Sequence, residues 1–125
     1  MGSARVLNLD THIVVLALSK RLNAEERRLL DNDFWCISDI VLWELSLLIQ
    51  QRRIAMNFEH PGLRQLLSEV TIWPITVGVC KSRLKLDFRS DPADEIIAAT
   101  SVAHGVPLLT RDVRMLGSKV VPLAG

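Results

Sequence analysis

The stretch DPADEIIAATSVAHGVPLLTRD, residues 91 to 112, opens as a helix and closes as a strand. Asp91 stands at the N-cap position, Pro92 at N1 where its missing N–H costs nothing, and Asp94 and Glu95 bring negative charge to the positive end of the helix. Ile96, Ile97 and Thr100 begin a buried face, and His104-Gly105 ends the helix, because glycine readily takes the left-handed conformation of a C-terminal turn. Val106 to Leu109 reads as the next strand, followed by polar Thr110-Arg111-Asp112.

Upstream the same alternation repeats. Arg5 to Leu9 is a short apolar strand ending at Asp10, and Thr11 to Ser19 continues as an apolar helical or extended run. Asn23 and Glu26 have the spacing of a capping box, which opens an amphipathic helix through Leu29 and Leu30. Phe34 to Ile37 reads as a second strand, with Ser38-Asp39 turning into a long helix that runs to about Gln51. Pro61-Gly62 marks a break, Leu63 to Glu69 a helix, and Thr71 to Ile75 a short strand that Pro74 places at a sheet edge. Val77 to Leu86 is expected to be helical, Asp87 to Ser90 a loop, and Val120 to Leu123 a last edge strand. Strands alternating with helices imply an α/β domain with a parallel sheet, and residues 1–125 show no linker, so one domain is expected.

Bulk properties exclude several classes. A hydrophobic fraction of 49% over 125 residues argues against disorder and leaves surplus apolar surface for a partner. Asp39 and Glu44 interrupt the richest apolar region, Ile37 to Ile49, so no membrane span is expected. Met1-Gly2-Ser3-Ala4-Arg5 lacks the apolar core of a secretory leader, and Val6 stands where a myristoylation motif has Ser or Thr. Cys36 and Cys80 form no CxxC pair and sit among apolar neighbours, which reads as two reduced core thiols in a cytoplasmic protein. Net charge is only +1, so total charge says nothing about nucleic acid.

The carboxylates are more informative. In open parallel sheets, ligands gather beyond the carboxyl ends of the strands. Asp10 ends the first strand, Glu44 lies early in the helix after the second, and Asp94 opens the helix leading to the strand before Asp112. Four acids gathered on one rim repel and raise one another's pKa unless a cation joins them. All-oxygen ligands suit Mg²⁺ or Mn²⁺, which polarise a phosphodiester and lower the pKa of an attacking water. Phosphodiester hydrolysis is the reaction class that follows.

The pieces Leu9-Asp10-Thr11-His12, Leu42-Trp43-Glu44, Asp91-Pro92-Ala93-Asp94 with Ile97-Ala98-Ala99-Thr100, and Leu109-Thr110-Arg111-Asp112 resemble, in order and spacing, the PIN-domain toxins of the VapC group. The resemblance implies a three-layer α/β/α domain, Mg²⁺- or Mn²⁺-dependent endoribonuclease activity, homodimerisation and inhibition by a cognate antitoxin. By position it makes Asp10, Glu44 and Asp94 the acidic triad, Asp112 the more variable fourth acid, and Thr11 and Thr110 hydroxyls lining the pocket. The chain departs from that pattern in having Glu95 where many relatives have Arg, Val41 where many have a capping Ser or Thr, and Arg52 where many have Gly before Arg53. Glu95 is expected to add negative charge near the site.

Plainer roles stand beside these. Asp94 alone would complement a helix dipole, and Asp112 alone would form a turn or cap the following segment. Glu44 is harder to explain that way, because Trp43, Leu45 and Leu47 give it an apolar neighbourhood. Lys81, Arg83, Lys85 and Arg89 precede the acidic loop, either as a solvated helix face or as a grip for RNA phosphates. Arg111 is read as contacting phosphate or tethering a neighbouring carboxylate; His12 either touches substrate or a metal or makes an ordinary polar contact near a helix start, the commoner case, and His60 and His104 are assigned no chemistry. Trp35, Trp43 and Trp73 are expected in packing or dimer contacts, and the apolar helices around Leu42 to Ile49 and Leu63 to Leu67 supply a dimer surface. A non-catalytic PIN-fold binding module is the alternative. A receiver-like Mg²⁺-binding phosphoacceptor is a weaker one, because the paired acids and late lysine of that class are missing.

Overall fold

A computed structural model describes residues 5–125; the leader and myristoylation readings at Met1 to Ala4 lie outside the described residues. The order is β1 (Val6–Leu9), α1 (Thr11–Leu18), α2 (Ala24–Asn32), β2 (Phe34–Ser38), α3 (Ile40–Gln50), α4 (Pro61–Glu69), β3 (Thr71–Trp73), α5 (Val77–Arg83), α6 (Pro92–His104), β4 (Leu108–Leu109) and α7 (Val113–Leu116).

All pairings are parallel and the strand order is β3-β2-β1-β4. The chain therefore steps outward from β1 to β3, then crosses back to lay β4 on the other side of β1. Parallel crossovers are right-handed, so reversing the direction of travel puts the later helices on the opposite face of the sheet from the earlier ones. Helices flank the sheet on both sides, as expected, and the reversal makes the carboxyl ends of β1 and β4 a switch point, where a crevice opens.

Leu7, Leu9 and Ile37 from the sheet pack with Ile13, Val14, Val41, Leu45, Ile97 and Leu108 in one buried cluster. Burying an aliphatic side chain of this kind is worth roughly 1.5–3 kcal/mol. Asn8 is the polar exception: fully buried, its Nδ2 donates to the Ile97 carbonyl at 3.0 Å and to Ser101 Oγ at 2.9 Å. These bonds fasten α6 across β1 and so fix where the start of α6 lies.

The capping box forms as read, with Glu26 N donating to Asn23 Oδ1 and Asn23 N to Glu26 Oε1. Gly105 ends α6 at φ 64°, the left-handed conformation. Elsewhere the structure differs from the sequence reading. β4 is only Leu108–Leu109, since Pro107 has no N–H to give a ladder, and the expected last strand reduces to a single parallel bridge between Leu108 and Leu123. α5 stops at Arg83, three residues short of Leu86. Cys36 is buried but Cys80 is exposed on α5, so only the first is a core thiol. Leu63 and Leu66 of α4 face the core, leaving less of that helix for a partner than expected, whereas Trp43 on α3 is 53% exposed. Trp73 packs flat on His104, with ring centroids 3.8 Å apart. No helix among the described residues is long and apolar enough to cross a membrane.

Candidate metal centre

Three carboxylates meet at the switch point. Asp10 follows β1 directly, Glu44 faces in from α3, and Asp94 projects from the first turn of α6; each offers an oxygen within 4.8 Å of the others. Asp10 is nearly fully buried and the other two are half-buried.

A hydroxyl holds each of the three. Thr110 Oγ1 donates to Asp10 Oδ2 at 2.7 Å across the gap between β4 and β1, and Thr11 Oγ1 donates to Glu44 Oε1. Thr110 Oγ1 also accepts from Asp112 N at 3.0 Å, which fixes its rotamer. Asp94 is held from its own loop, where Ser90 Oγ donates to Asp94 Oδ2 at 3.1 Å. Sequence reading missed Ser90; a serine four residues before an acid at a helix start carries no signal of its own.

Burial first, and then the negative charge of Asp10, pushes the Asp94 carboxyl up to about 6; Glu44 and Asp112 add to this and the Ser90 hydroxyl opposes it. Asp10 and Glu44 are also raised, chiefly by burial, with hydroxyl bonds from Thr110 and Thr11 opposing. Among the described residues none of the three has a Lys or Arg partner within ion-pair distance. An all-oxygen, partly desolvated, uncompensated set of this kind fits a hard divalent cation, which removes the repulsion that raises the pKa values.

Asp112 lies beside this set rather than in it. Its Oδ1 accepts from Arg114 N at 2.9 Å and Met115 N at 3.3 Å, so it caps α7 while its charge still raises Asp10 and Asp94. Asp10, His12, Arg111 and Asp112 line a small cavity of about 180 Å³ on this side.

Two arginines from the sequence reading are engaged by acids. Arg111 binds Glu26, through Nε to Oε2 at 2.8 Å and Nη2 to Oε1 at 2.6 Å, which is the tethering alternative rather than a free phosphate contact. Arg83 binds Glu95 Oε1 through Nε at 3.1 Å and Nη2 at 2.9 Å. Glu95 Oε2 accepts from Ser90 N at 3.0 Å, and these bonds hold its carboxyl below the usual range. Glu95 brings its negative charge beside Asp94, where Arg83 matches it and the carboxylate fixes the loop before α6. Asp91 occupies the N-cap without a side-chain cap bond, and Glu95 reaches back to Ser90 N and so ties the preceding loop to the helix. Lys81 and Lys85 are exposed, and neither joins an ion pair among the described residues.

A parallel α/β sheet with a carboxylate cluster at its switch point defines a class, the acidic-centre domains that bind divalent cations. Within that class the sequence is decisive: the PIN domain family profile matches residues 8–117, and the chain belongs to that family. It is 32% identical over 113 residues to Ribonuclease VapC22 of Mycobacterium tuberculosis, covering 86% of this chain and 87% of that protein. The fold is shared with VapBC2 from Rickettsia felis, solved bound to a DNA fragment from its promoter, at a TM-score of 0.76 and 21% identity over 95% of this chain and 97% of that one. FitAcB from Neisseria gonorrhoeae also shares it, at a TM-score of 0.69 and 20% identity over 95% and 96%.

Proposed function

We propose that this chain is a metal-dependent endoribonuclease and the toxin half of a toxin-antitoxin pair. The observation that carries the reading is the set of three carboxylates within 4.8 Å at the β1/β4 switch point. Asp10, Glu44 and Asp94 would hold the cation, with Asp112 completing the negative rim from its place at the start of α7. Mg²⁺ or Mn²⁺ suits such oxygen donors, and when bound supplies Lewis-acid stabilisation of the scissile phosphodiester and a lowered pKa for the attacking water.

The chain's own contribution is positioning. Thr110, Thr11 and Ser90 each engage one oxygen of a carboxylate and keep it turned to the common centre. Lys81 and Lys85 supply mobile positive charge on the approach to the Asp94 loop, suited to RNA phosphates. Arg83 and Arg111 act indirectly, by holding Glu95 and Glu26.

The ribonuclease name of the Mycobacterium tuberculosis relative and the toxin-antitoxin complexes among the structural neighbours support RNA as substrate and a small antitoxin as partner. We infer further a single domain over residues 1–125, a cytoplasmic setting, and a homodimer using the half-exposed apolar face of α3 around Trp43. Light scattering that gives a monomer mass at micromolar concentration removes the dimer.

RNA cleavage with Mn²⁺ and with EDTA, in the parent and in Asp94→Asn, tests the activity. Cleavage confined to the parent with Mn²⁺ supports it; equal cleavage in all four conditions, or none in any, leaves the non-catalytic module.

A further inference from the structure

A second cavity adjoins the carboxylate cluster. It measures about 380 Å³ and is lined by Arg83, Leu84, Phe88, Arg89 and Glu95, with Leu86 and Asp87 completing the wall. Its charges are unequal in what they leave free. Glu95 is satisfied by Arg83 and Ser90 N, and Asp87 by Ser118 Oγ and Lys119 N. Arg89 is exposed and, among the described residues, makes no side-chain hydrogen bond or ion pair. The cavity therefore presents one guanidinium without a direct bond, its charge felt by Glu95 at longer range, beside half-buried Phe88 and the rim residue Leu84, which is 77% exposed.

Ser90 follows the lining residue Arg89 and links the cavity's lining to the cluster. Its backbone N–H bonds Glu95 in the cavity, and its hydroxyl bonds Asp94 in the cluster. On the far side Arg114 Nη1 approaches the same hydroxyl at 3.5 Å. The cavity's Glu95 and the cluster's Asp94 are thus joined through one residue.

Resting on the ribonuclease reading, we propose that this cavity is the subsite for the nucleotide flanking the scissile phosphate of single-stranded RNA, with Arg89 gripping its phosphate and Phe88 and Leu84 receiving its base. Unstacked bases are bound on apolar and aromatic side chains, and guanidinium forks match phosphate oxygens. The volume lies near the lower end of small-ligand cavities, roughly 300–1,000 Å³, which suits one nucleotide. An acidic peptide would also satisfy Arg89, and loss of inhibition by a protein partner is the outcome that marks it.

The test uses the full chain, a fluorescein-labelled single-stranded RNA of mixed sequence in EDTA for affinity, and the same RNA with Mn²⁺ for cleavage. Arg89→Ala is expected to weaken binding about tenfold. It is also expected to lower the slope of log affinity against log salt by about 0.7, the value of one single-strand phosphate contact. KM should rise with kcat within about twofold, because nothing at the cluster changes. Arg89→Lys should restore the slope, since a point charge still binds phosphate, and both variants should melt with the parent. A parent that cleaves RNA while Arg89→Ala keeps its affinity, slope and KM overturns the subsite and leaves the activity standing. Arg89→Ala that cleaves normally but loses inhibition by a protein partner assigns the cavity to that partner and likewise overturns the subsite. A parent that neither binds nor cleaves RNA overturns the ribonuclease reading, and the subsite with it.

Discussion

Arg111 and Glu26, 85 residues apart in the chain, form a two-point ion pair that joins the turn after β4 to the capping box of α2. Glu26 is buried and its carboxyl is held below the usual range, first by the Arg111 bond and against the cost of burial. Removing the guanidinium leaves a buried carboxylate with only the Asn23 amide. Arg111→Ala should therefore lower stability by about 1–2 kcal/mol, the half-exposed arginine being partly screened by water. Urea melts in EDTA measure this. A variant as stable as the parent, but weaker in RNA binding, would return Arg111 to a direct role at phosphate.

Arg83 and Lys81 differ in the same way. Arg83→Ala should loosen the Ser90 to Asp94 loop through Glu95 and so weaken Mn²⁺ binding severalfold, read by calorimetry. Lys81→Ala with Lys85→Ala should leave the Mn²⁺ isotherm unchanged and reduce only the salt slope of RNA affinity, by about 0.7 for each phosphate that the variant no longer binds. Equal metal affinity in all of these variants would separate the Glu95 clamp from the metal site.

What the sequence made legible was local. The start of α6, the capping box of α2 and the acids Asp10, Glu44 and Asp94 are visible because each is defined by chain neighbours: a proline at N1, a three-residue spacing, an acid after an apolar strand. Asp112 reads as the fourth site acid, with a cap as its plainer role; in the structure its Oδ1 caps α7 and its charge reaches the cluster from beside the set of three. The pairings of Arg111 with Glu26 and Arg83 with Glu95, the hydroxyl of Ser90 and the exposure of Cys80 were not legible. They depend on which faces of distant helices meet, and no spacing within one segment carries that information.

The raised carboxyls give the metal-free protein an unusual pH profile. Asp94 is pushed up to about 6 by burial and by the charges of Asp10, Glu44 and Asp112, against an ordinary value of 3.8. A folded carboxyl that binds its proton more tightly than the unfolded one makes folding less favourable as pH rises through that interval. Stability in EDTA should thus increase as pH falls from about 6 toward about 4, until Glu26, Glu95 and Asp87, held low by their partners, begin to lose their bonds. Thermal melts at pH 7 and pH 5 check the sign. A melting temperature that falls on acidification over this range would mean that the carboxylates are compensated without a cation.

Asp94→Asn separates ligand from scaffold most directly. As a member of an uncompensated cluster, Asp94 is repelled by Asp10 and Glu44, so neutralising it should leave the protein in EDTA as stable as the parent or more so at pH 7. Were it only a complement to the α6 dipole, the same change would cost about 0.3–1 kcal/mol and spare activity. The asparagine still accepts the Ser90 hydroxyl, so the loop is kept and the comparison isolates charge. Added Mn²⁺ supplies the second axis, because an ion that binds only the folded state raises the melting temperature by mass action. The parent should gain from Mn²⁺, and gain more at pH 7 than at pH 5, where protons compete for the same oxygens. Asp94→Asn should gain little at either pH and should not cleave RNA. A variant that is less stable in EDTA, and that still responds to Mn²⁺ as the parent does, would falsify the assignment of Asp94 as a ligand.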